Sequence, residues 1–230
     1  MKFKGGKVMA AIKAILFDHD GTLVDSEFIH YQMWVAILKP YGVILTEEDY
    51  IKEYAGIPSP ANAKTMVEKY CLTYTPEALN RAKALATDNY LSNQAFPLVD
   101  AAKEVITSLA QEEVKLAIVT GAGGDAPRNT LKQNNLETYF ETIVSGDDVE
   151  HSKPAPDCYL LAAKRLGLEP HECVAIEDTA NGVSAAAAAN VPCVAIATKM
   201  SQHQDLSKAI KIVASLKDAK NWIKNQYFSF

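Results

Sequence analysis

Short apolar runs that end in polar residues recur along this chain, and most are followed by a stretch with helical spacing. The runs cover residues 14–17, 115–119, 142–144, 173–176, 193–197 and 210–213. Their length and Val/Ile content favour strands over buried helical turns. Helical patterns near 98–111, 126–135, 156–166, 179–189 and 216–226 alternate with them. Alternation of this kind predicts an α/β fold, with a parallel sheet covered by helices on both faces. The alanines of 185–189 read as a small-residue helix face that lies close to the sheet.

Residues 28–96 break the rhythm. Here the pattern is helical throughout, near 27–39, 46–54, 60–71 and 76–92, with Pro40, Gly42, the loop from Gly56 to Pro60, and Pro76 as punctuation. Thr46 and Thr75 stand where helix starts are expected. An all-helical block after the first strand of an α/β sheet predicts an inserted domain, 28–96, within a core made of 1–27 and 97–230.

Composition narrows the function classes. The 230 residues are 48% hydrophobic and 22% charged, as expected of a globular chain with a sizeable core. A formal net charge of −5 argues against nucleic acid or an anionic membrane as partner. No apolar run approaches a membrane span, and no secretory signal follows the basic start MKFKGGKVMA, so the cytoplasm is the expected compartment. The first ten residues read as an extension, with Met9 a second candidate start. A monomer or weak dimer is expected. Cys71, Cys158, Cys173 and Cys193 form no C-x-x-C pair and read as buried free thiols.

Ligands of open parallel sheets bind at the carboxyl ends of the strands, and four such positions carry candidate chemistry. Asp18-His19-Asp20-Gly21-Thr22 follows the first run, where a turn at Gly21 lets two carboxylates converge. Two close carboxylates repel unless something compensates, and oxygen ligands select Mg²⁺ or a similar hard cation. A plain turn or a calcium-loop fragment is the alternative, although no Glu closes such a loop. Thr120-Gly121 offers a hydroxyl and backbone N–H groups to a phosphate oxygen, or is ordinary turn chemistry. Ser152-Lys153-Pro154-Ala155-Pro156 presents an ammonium from a stiff support, or a solvated surface lysine. Glu177-Asp178-Thr179 supplies two acids for a metal, or a helix N-cap, or both.

Taken together and in this order, FDHDGTLVDSE, IVTGA, SKPAPDCYL and AIEDTANGV resemble the four motifs of the haloacid dehalogenase-like hydrolase superfamily. The nearest resemblance is to the branch with β-phosphoglucomutase and small sugar phosphatases. The resemblance implies a Rossmann-like core with a helical cap. It implies Asp18 as nucleophile, forming an aspartyl-phosphate, and Asp20 as general acid/base. Thr120 and Gly121 would hold the phosphoryl group and Lys153 would stabilise its charge. Mg²⁺ would be held by Asp18, the Asp20 carbonyl, Asp178 and Glu177, the last directly or through water. Phosphoryl transfer needs in-line positioning and charge neutralisation above all, which fits this set. An acid/base at Asp20 argues against dehalogenation.

Three departures matter. His19 replaces a usually apolar residue; strand alternation would turn it away from both Asp side chains, as a structural histidine. Pro97-Leu98-Val99 stands where the family commonly has Pro-Gly. The loop Tyr54-Ala55-Gly56-Ile57-Pro58-Ser59-Pro60 lacks the basic residues with which the mutases grip a second phosphate, which favours hydrolysis. Ser26, His30 and Gly56 are candidate substrate contacts, and Tyr54 and Ile57 a candidate apolar side of the pocket. Hydrolysis of a small phosphorylated metabolite, a sugar phosphate foremost, therefore competes with a phosphomutase and with an idle phosphate-ester-binding protein. The cap is expected to open and close over the core.

Overall fold

The computed structural model describes residues 11–228, so the extension expected over the first ten residues lies outside them. Among the described residues six strands are present: β1 Ala14–Phe17, β2 Lys115–Val119, β3 Thr142–Val144, β4 Cys173–Glu177, β5 Cys193–Ile196 and β6 Lys211–Val213. They form one sheet in the order β3-β2-β1-β4-β5-β6, and every pairing is parallel. The helices are α1 Glu27–Leu38, α2 Glu47–Glu53, α3 Ser59–Lys69, α4 Pro76–Asn93, α5 Ala102–Leu109, α6 Ala126–Asn134, α7 Asp157–Leu166, α8 Ala180–Ala188 and α9 Leu216–Ile223.

Alternation along the central strand builds two apolar layers. Ala14 and Leu16 pack with Val119, Tyr159 and the alanines of α8 on one face. Ile15 and Phe17 pack with Val105, Ile106 and Leu109 of α5 and with Ile223 of α9 on the other. All four β1 side chains are inaccessible, and each large one adds roughly 1.5–3 kcal/mol of burial free energy. This double coverage makes β1 a continuous apolar run without polar alternation. The small side chains of Ala185 and Ala186 lie within the first layer, as their size predicts.

Residues 27–93 are helical, with their own apolar cluster around Trp34, Leu38, Tyr50, Tyr54, Met66 and Leu79. Thr46 and Thr75 cap α2 and α4, each accepting a backbone N–H from three residues on. Tyr54, expected beside the pocket, is instead buried within this cluster at 1% exposure. Two strands of chain connect the block to the sheet. Val24 and Leu98 form an antiparallel bridge, with Asp25 N–H donating to the Pro97 carbonyl and Val99 N–H to the Leu23 carbonyl. Residues 97–99 are thus extended, so α5 starts later than the sequence pattern predicts. The four cysteines are free; three are buried, whereas Cys71 is exposed, contrary to expectation. No helix among the described residues is long and apolar enough to cross a membrane.

Candidate active site

From β1 the chain runs outward through β2 and β3, then returns to the other side of β1 as β4. Loops leaving β1 and β4 diverge at such a switch and leave a crevice at the strand ends. Asp18 is the first residue beyond β1, Glu177 the last of β4 and Asp178 the next. Their carboxylates each bring an oxygen within 4.8 Å of the others, and all three residues are buried. Gly21 makes this approach feasible. Its φ is +81°, and a Cβ there would lie 2.1 Å from Asp178 Oδ2.

Lys153 reaches the crevice from the loop after β3. Its ammonium donates to Asp18 Oδ1 at 2.6 Å, to Glu177 Oε1 at 2.6 Å and to the Val119 carbonyl at 2.7 Å. Glu177 Oε1 also accepts from the Tyr159 hydroxyl at 2.5 Å. Burial and the charge of Glu177 push the Asp18 carboxyl up to about 7 in spite of Lys153. Burial, Asp18 and Glu177 raise Asp178 well above the carboxylate range. Burial alone would weaken the Lys153 ammonium, but Asp18 and Glu177 outweigh it and its pKa is raised. Three buried acids against one ammonium leave a shortfall of positive charge that a hard divalent cation with oxygen ligands would fill. The donor set therefore fits a metal, with Asp18 and Asp178 less engaged by protein donors than Glu177.

Asp20 turns toward the start of the helical block. Its Oδ1 accepts from the Ser26 hydroxyl at 2.6 Å and lies 3.7 Å from His30 Nε2; its Oδ2 lies 3.2 Å from His19 Nδ1. Burial would raise its carboxyl, but His19 and then His30 hold it well below the ordinary range. The expectation that His19 turns away is corrected here. The strand ends at Phe17, so alternation no longer governs residue 19, and the 20–23 turn brings its ring against Asp20. Thr120 is buried at the end of β2, its hydroxyl accepting from Ala122 N–H at 3.1 Å. The Gly121 carbonyl accepts from Ser152 at 2.9 Å, and a Cβ on Gly121 would lie 3.4 Å from the Lys153 stem.

Gly56 lies where the helical block meets the core. Its φ is +71°, and a Cβ there would lie 2.9 Å from Thr179 and from Gln204. Gln204 spans the junction, accepting from Ala180 N–H at 2.7 Å and donating to the Ala55 carbonyl at 3.1 Å.

One polar cluster gathers around Lys83, a residue outside every motif of the sequence. Lys83 of α4, 2% exposed, lies 3.0 Å from His30 Nδ1 and donates to Thr87 at 2.9 Å. Burial brings its ammonium down to about 8. Glu27 accepts from the Tyr50 hydroxyl at 2.8 Å, and burial raises its carboxyl. The 54–60 loop indeed carries no cation, but the block as a whole presents one toward Asp20. A signal existed: Leu79, Lys83 and Thr87 share one stripe at i+4 spacing, and Leu79 is core.

Residues 15–196 match the family model of haloacid dehalogenase-like hydrolases. A similar protein is the fructose-1-phosphate phosphatase YqaB of Escherichia coli, 34% identical over 182 residues, covering 78% of this chain and 94% of that one. Another is the probable pseudouridine-5'-phosphatase of Drosophila melanogaster, 32% identical over 221 residues, covering 93% and 94%. The crystal structure of a β-phosphoglucomutase from Clostridium difficile shares the fold with a TM-score of 0.77 at 21% identity, over 94% of this chain and 97% of that chain. The chain belongs to the haloacid dehalogenase-like hydrolase family.

Proposed function

We propose that this protein is a Mg²⁺-dependent phosphatase of small phosphorylated metabolites, sugar phosphates foremost. The observation that carries it is the convergence of Asp18, Lys153, Glu177 and Asp178 on one buried crevice beside Asp20. The names of the similar phosphatases support the reaction class.

In this reading residues 28–96 act as the cap and the remainder as the catalytic core. An Asp18 oxygen attacks phosphorus while the ester P–O bond breaks; Asp20, ionised in the free protein, first takes up a proton from solvent and gives it to the departing oxygen. Asp20 then takes a proton from water, whose oxygen attacks the phosphoaspartate; the Asp18–phosphorus bond breaks and inorganic phosphate leaves. Lys153 offsets the charge of nucleophile and phosphate, and Thr120 with Gly121 cradles the transferring group. Asp18, Asp178 and the Asp20 carbonyl would hold the cation, with Glu177 bound through water, since one of its oxygens is taken by Lys153 and Tyr159. A bound divalent cation lets an anionic nucleophile approach an anionic ester. Ser26 holds Asp20, while Glu27, His30, Lys83 and the Gly56 backbone present acceptors and donors suited to a hydroxylated substrate.

The test is Mg²⁺-dependent release of phosphate from p-nitrophenyl phosphate. Asp18→Asn is expected to lower kcat by roughly 10⁴-fold or more, as loss of a covalent nucleophile does; undiminished turnover by that protein would sink the mechanism. Lys83 is the one observation that favours a mutase, because it offers a second phosphate a buried cation. Conversion of glucose 1-phosphate to glucose 6-phosphate with little free phosphate would establish that alternative.

A further inference from the structure

We infer that His19 is a positioning residue for Asp20, acting through a buried hydrogen-bonded line Thr130–His19–Asp20; the inference rests on the reading of Asp20 as general acid/base. His19 is fully inaccessible and Thr130, on α6, is 1% exposed. The imidazole lies between them, with Nε2 at 3.0 Å from the Thr130 hydroxyl and Nδ1 at 3.2 Å from Asp20 Oδ2. The His19 backbone is pinned as well, since its carbonyl accepts both Leu23 and Val24 N–H groups. The ring therefore stands on a fixed turn and has little room to rotate.

The direction of the hydrogen bonds follows from the partners. An ionised carboxylate only accepts, so the contact with Asp20 is favourable only when Nδ1 carries a proton. With a neutral ring that leaves Nε2 bare, and the Thr130 hydroxyl donates to it. With a charged ring Nε2 donates to Thr130 instead. In either state Nδ1–H points at Asp20; the Thr130 hydroxyl donates or accepts to match and holds the ring in place, while the carboxylate selects the tautomer. A histidine oriented by the partner of its other nitrogen is a recurrent device in catalytic sites.

The consequence lies in the carboxyl orientation. Ser26 donates to Oδ1 from the first turn of the helical block, and His19 donates to Oδ2 from the core side. With an apolar residue at 19, Oδ2 would lose its donor while Oδ1 kept Ser26, with His30 Nε2 at 3.7 Å, and the carboxyl would turn about that side. A proton donor displaced by about 1 Å can lose on the order of 10²-fold in rate. Position 19 is thus the point at which this chain adds a second holder to its acid/base.

Leaving-group dependence separates this role from a structural one. p-Nitrophenolate departs without needing a proton, whereas the alkoxide of glycerol 2-phosphate needs one. We expect His19→Leu, with thermal unfolding checked against the parent, to lower kcat/KM for glycerol 2-phosphate at least about tenfold more than for p-nitrophenyl phosphate, part of the ~10²–10⁴ that a placed acid supplies. His19→Asn, with an amide N–H near the place of Nδ1, should restore most of that selective loss, while His19→Gln, whose amide reaches the place of Nε2, should not. Equal losses on both esters, no loss on either, or equal rescue by Asn and Gln would overturn the positioning role. Asp20→Asn separates the two readings. If it shows the selective loss and His19→Leu does not, the acid/base reading stands and the role of His19 falls. If Asp20→Asn keeps full turnover of both esters, the acid/base reading falls and the role of His19 with it.

Discussion

In the α/β core, Asp18, Glu177 and Asp178 directly follow or end neighbouring strands, and adjacent strand ends bring them together. In the helical block, Glu27, His30, Tyr50 and Lys83 come from α1, α2 and α4, and meet only because those helices pack at a particular rotation. The core cluster sets three buried acids against one ammonium, whereas in the helical cluster one acid, Glu27, stands against one cation, Lys83. A parallel sheet with a switch between β1 and β4 converts sequence order into position, because parallel strands end at one edge. Helices carry no such rule: a side chain 100° around the axis faces elsewhere. In the proposed reading the reaction class therefore rests on the core and the choice of substrate on the block.

The largest expected difference between the two regions is in their dependence on metal. Asp18, raised from 3.8 to about 7, holds a proton in the folded metal-free protein at pH values where the unfolded chain has lost it. Asp178 is raised in the same direction. The metal-free fold therefore loses stability as pH rises from about 4 to about 7, because the folded state binds more protons there. A cation that replaces those protons binds better as pH rises, and at one hundred times its Kd it would add about 2.7 kcal/mol. Chelation is expected to abolish turnover, and the rise in Tm on adding Mg²⁺ should be larger at pH 8 than at pH 5.5. A rise of equal size at both pH values would detach the carboxylate cluster from metal binding.

Lys83→Met is the complementary change in the block, keeping the stem while removing the charge. Loss of a charge-assisted hydrogen bond worth roughly 1.5–3 kcal/mol should lower kcat/KM for sugar phosphates about tenfold or more. Mg²⁺ affinity, a core property, should stay within about twofold, since removal of a group away from the ligands leaves their geometry alone. Substrate kinetics together with a Mg²⁺ titration check this. A parallel loss of Mg²⁺ affinity would mean that core and block share one electrostatic unit.

The same contrast explains what the sequence pattern discloses. β1, β2 and β3 appear in the chain as apolar runs with the bounds observed in the fold; β1 and β2 are buried on both faces and need no alternation. Asp18, Thr120, Lys153 and Glu177-Asp178 are legible because each lies at or beyond a strand end. Lys83 belongs to no motif and takes meaning only from its place on the Leu79 stripe. Helix α1 carries apolar residues on more than one face, with Trp34 and Leu38 in one cluster and Met33 in another, so no single face of it is legible in the sequence. Strand alternation misplaces His19 because β1 ends at Phe17, two residues before it. Gln204 gave no sign at all: its two partners are 24 and 149 residues away.

Gln204 offers the smallest and sharpest test of whether core and block behave as separable units. Its side chain is a polar bridge from the N-terminus of α8 to the 54–60 loop, through Ala180 N–H and the Ala55 carbonyl, beside the longer contact from Asn181 Nδ2 to the Gly56 carbonyl at 3.4 Å. Lys199 adds an exposed ion pair to Glu47 beside it, and Met200 packs against the block's apolar cluster. In Gln204→Ala both backbone groups regain water as partner, so the net loss should be only about 1–2 kcal/mol for the two hydrogen bonds. If the junction opens without unfolding either side, that loss raises the open population roughly 5–30-fold. The global Tm, by contrast, should move by no more than about 2–4 °C per kcal/mol, and by less if opening is local. Amide hydrogen exchange separates the two cases. Faster exchange confined to residues 54–58 and 180–182, with β1 and β4 unchanged, is the expected result. Acceleration spread equally over β1 and β4 would show that the junction is part of one cooperative fold, and a hinged block over a fixed core would no longer describe this protein.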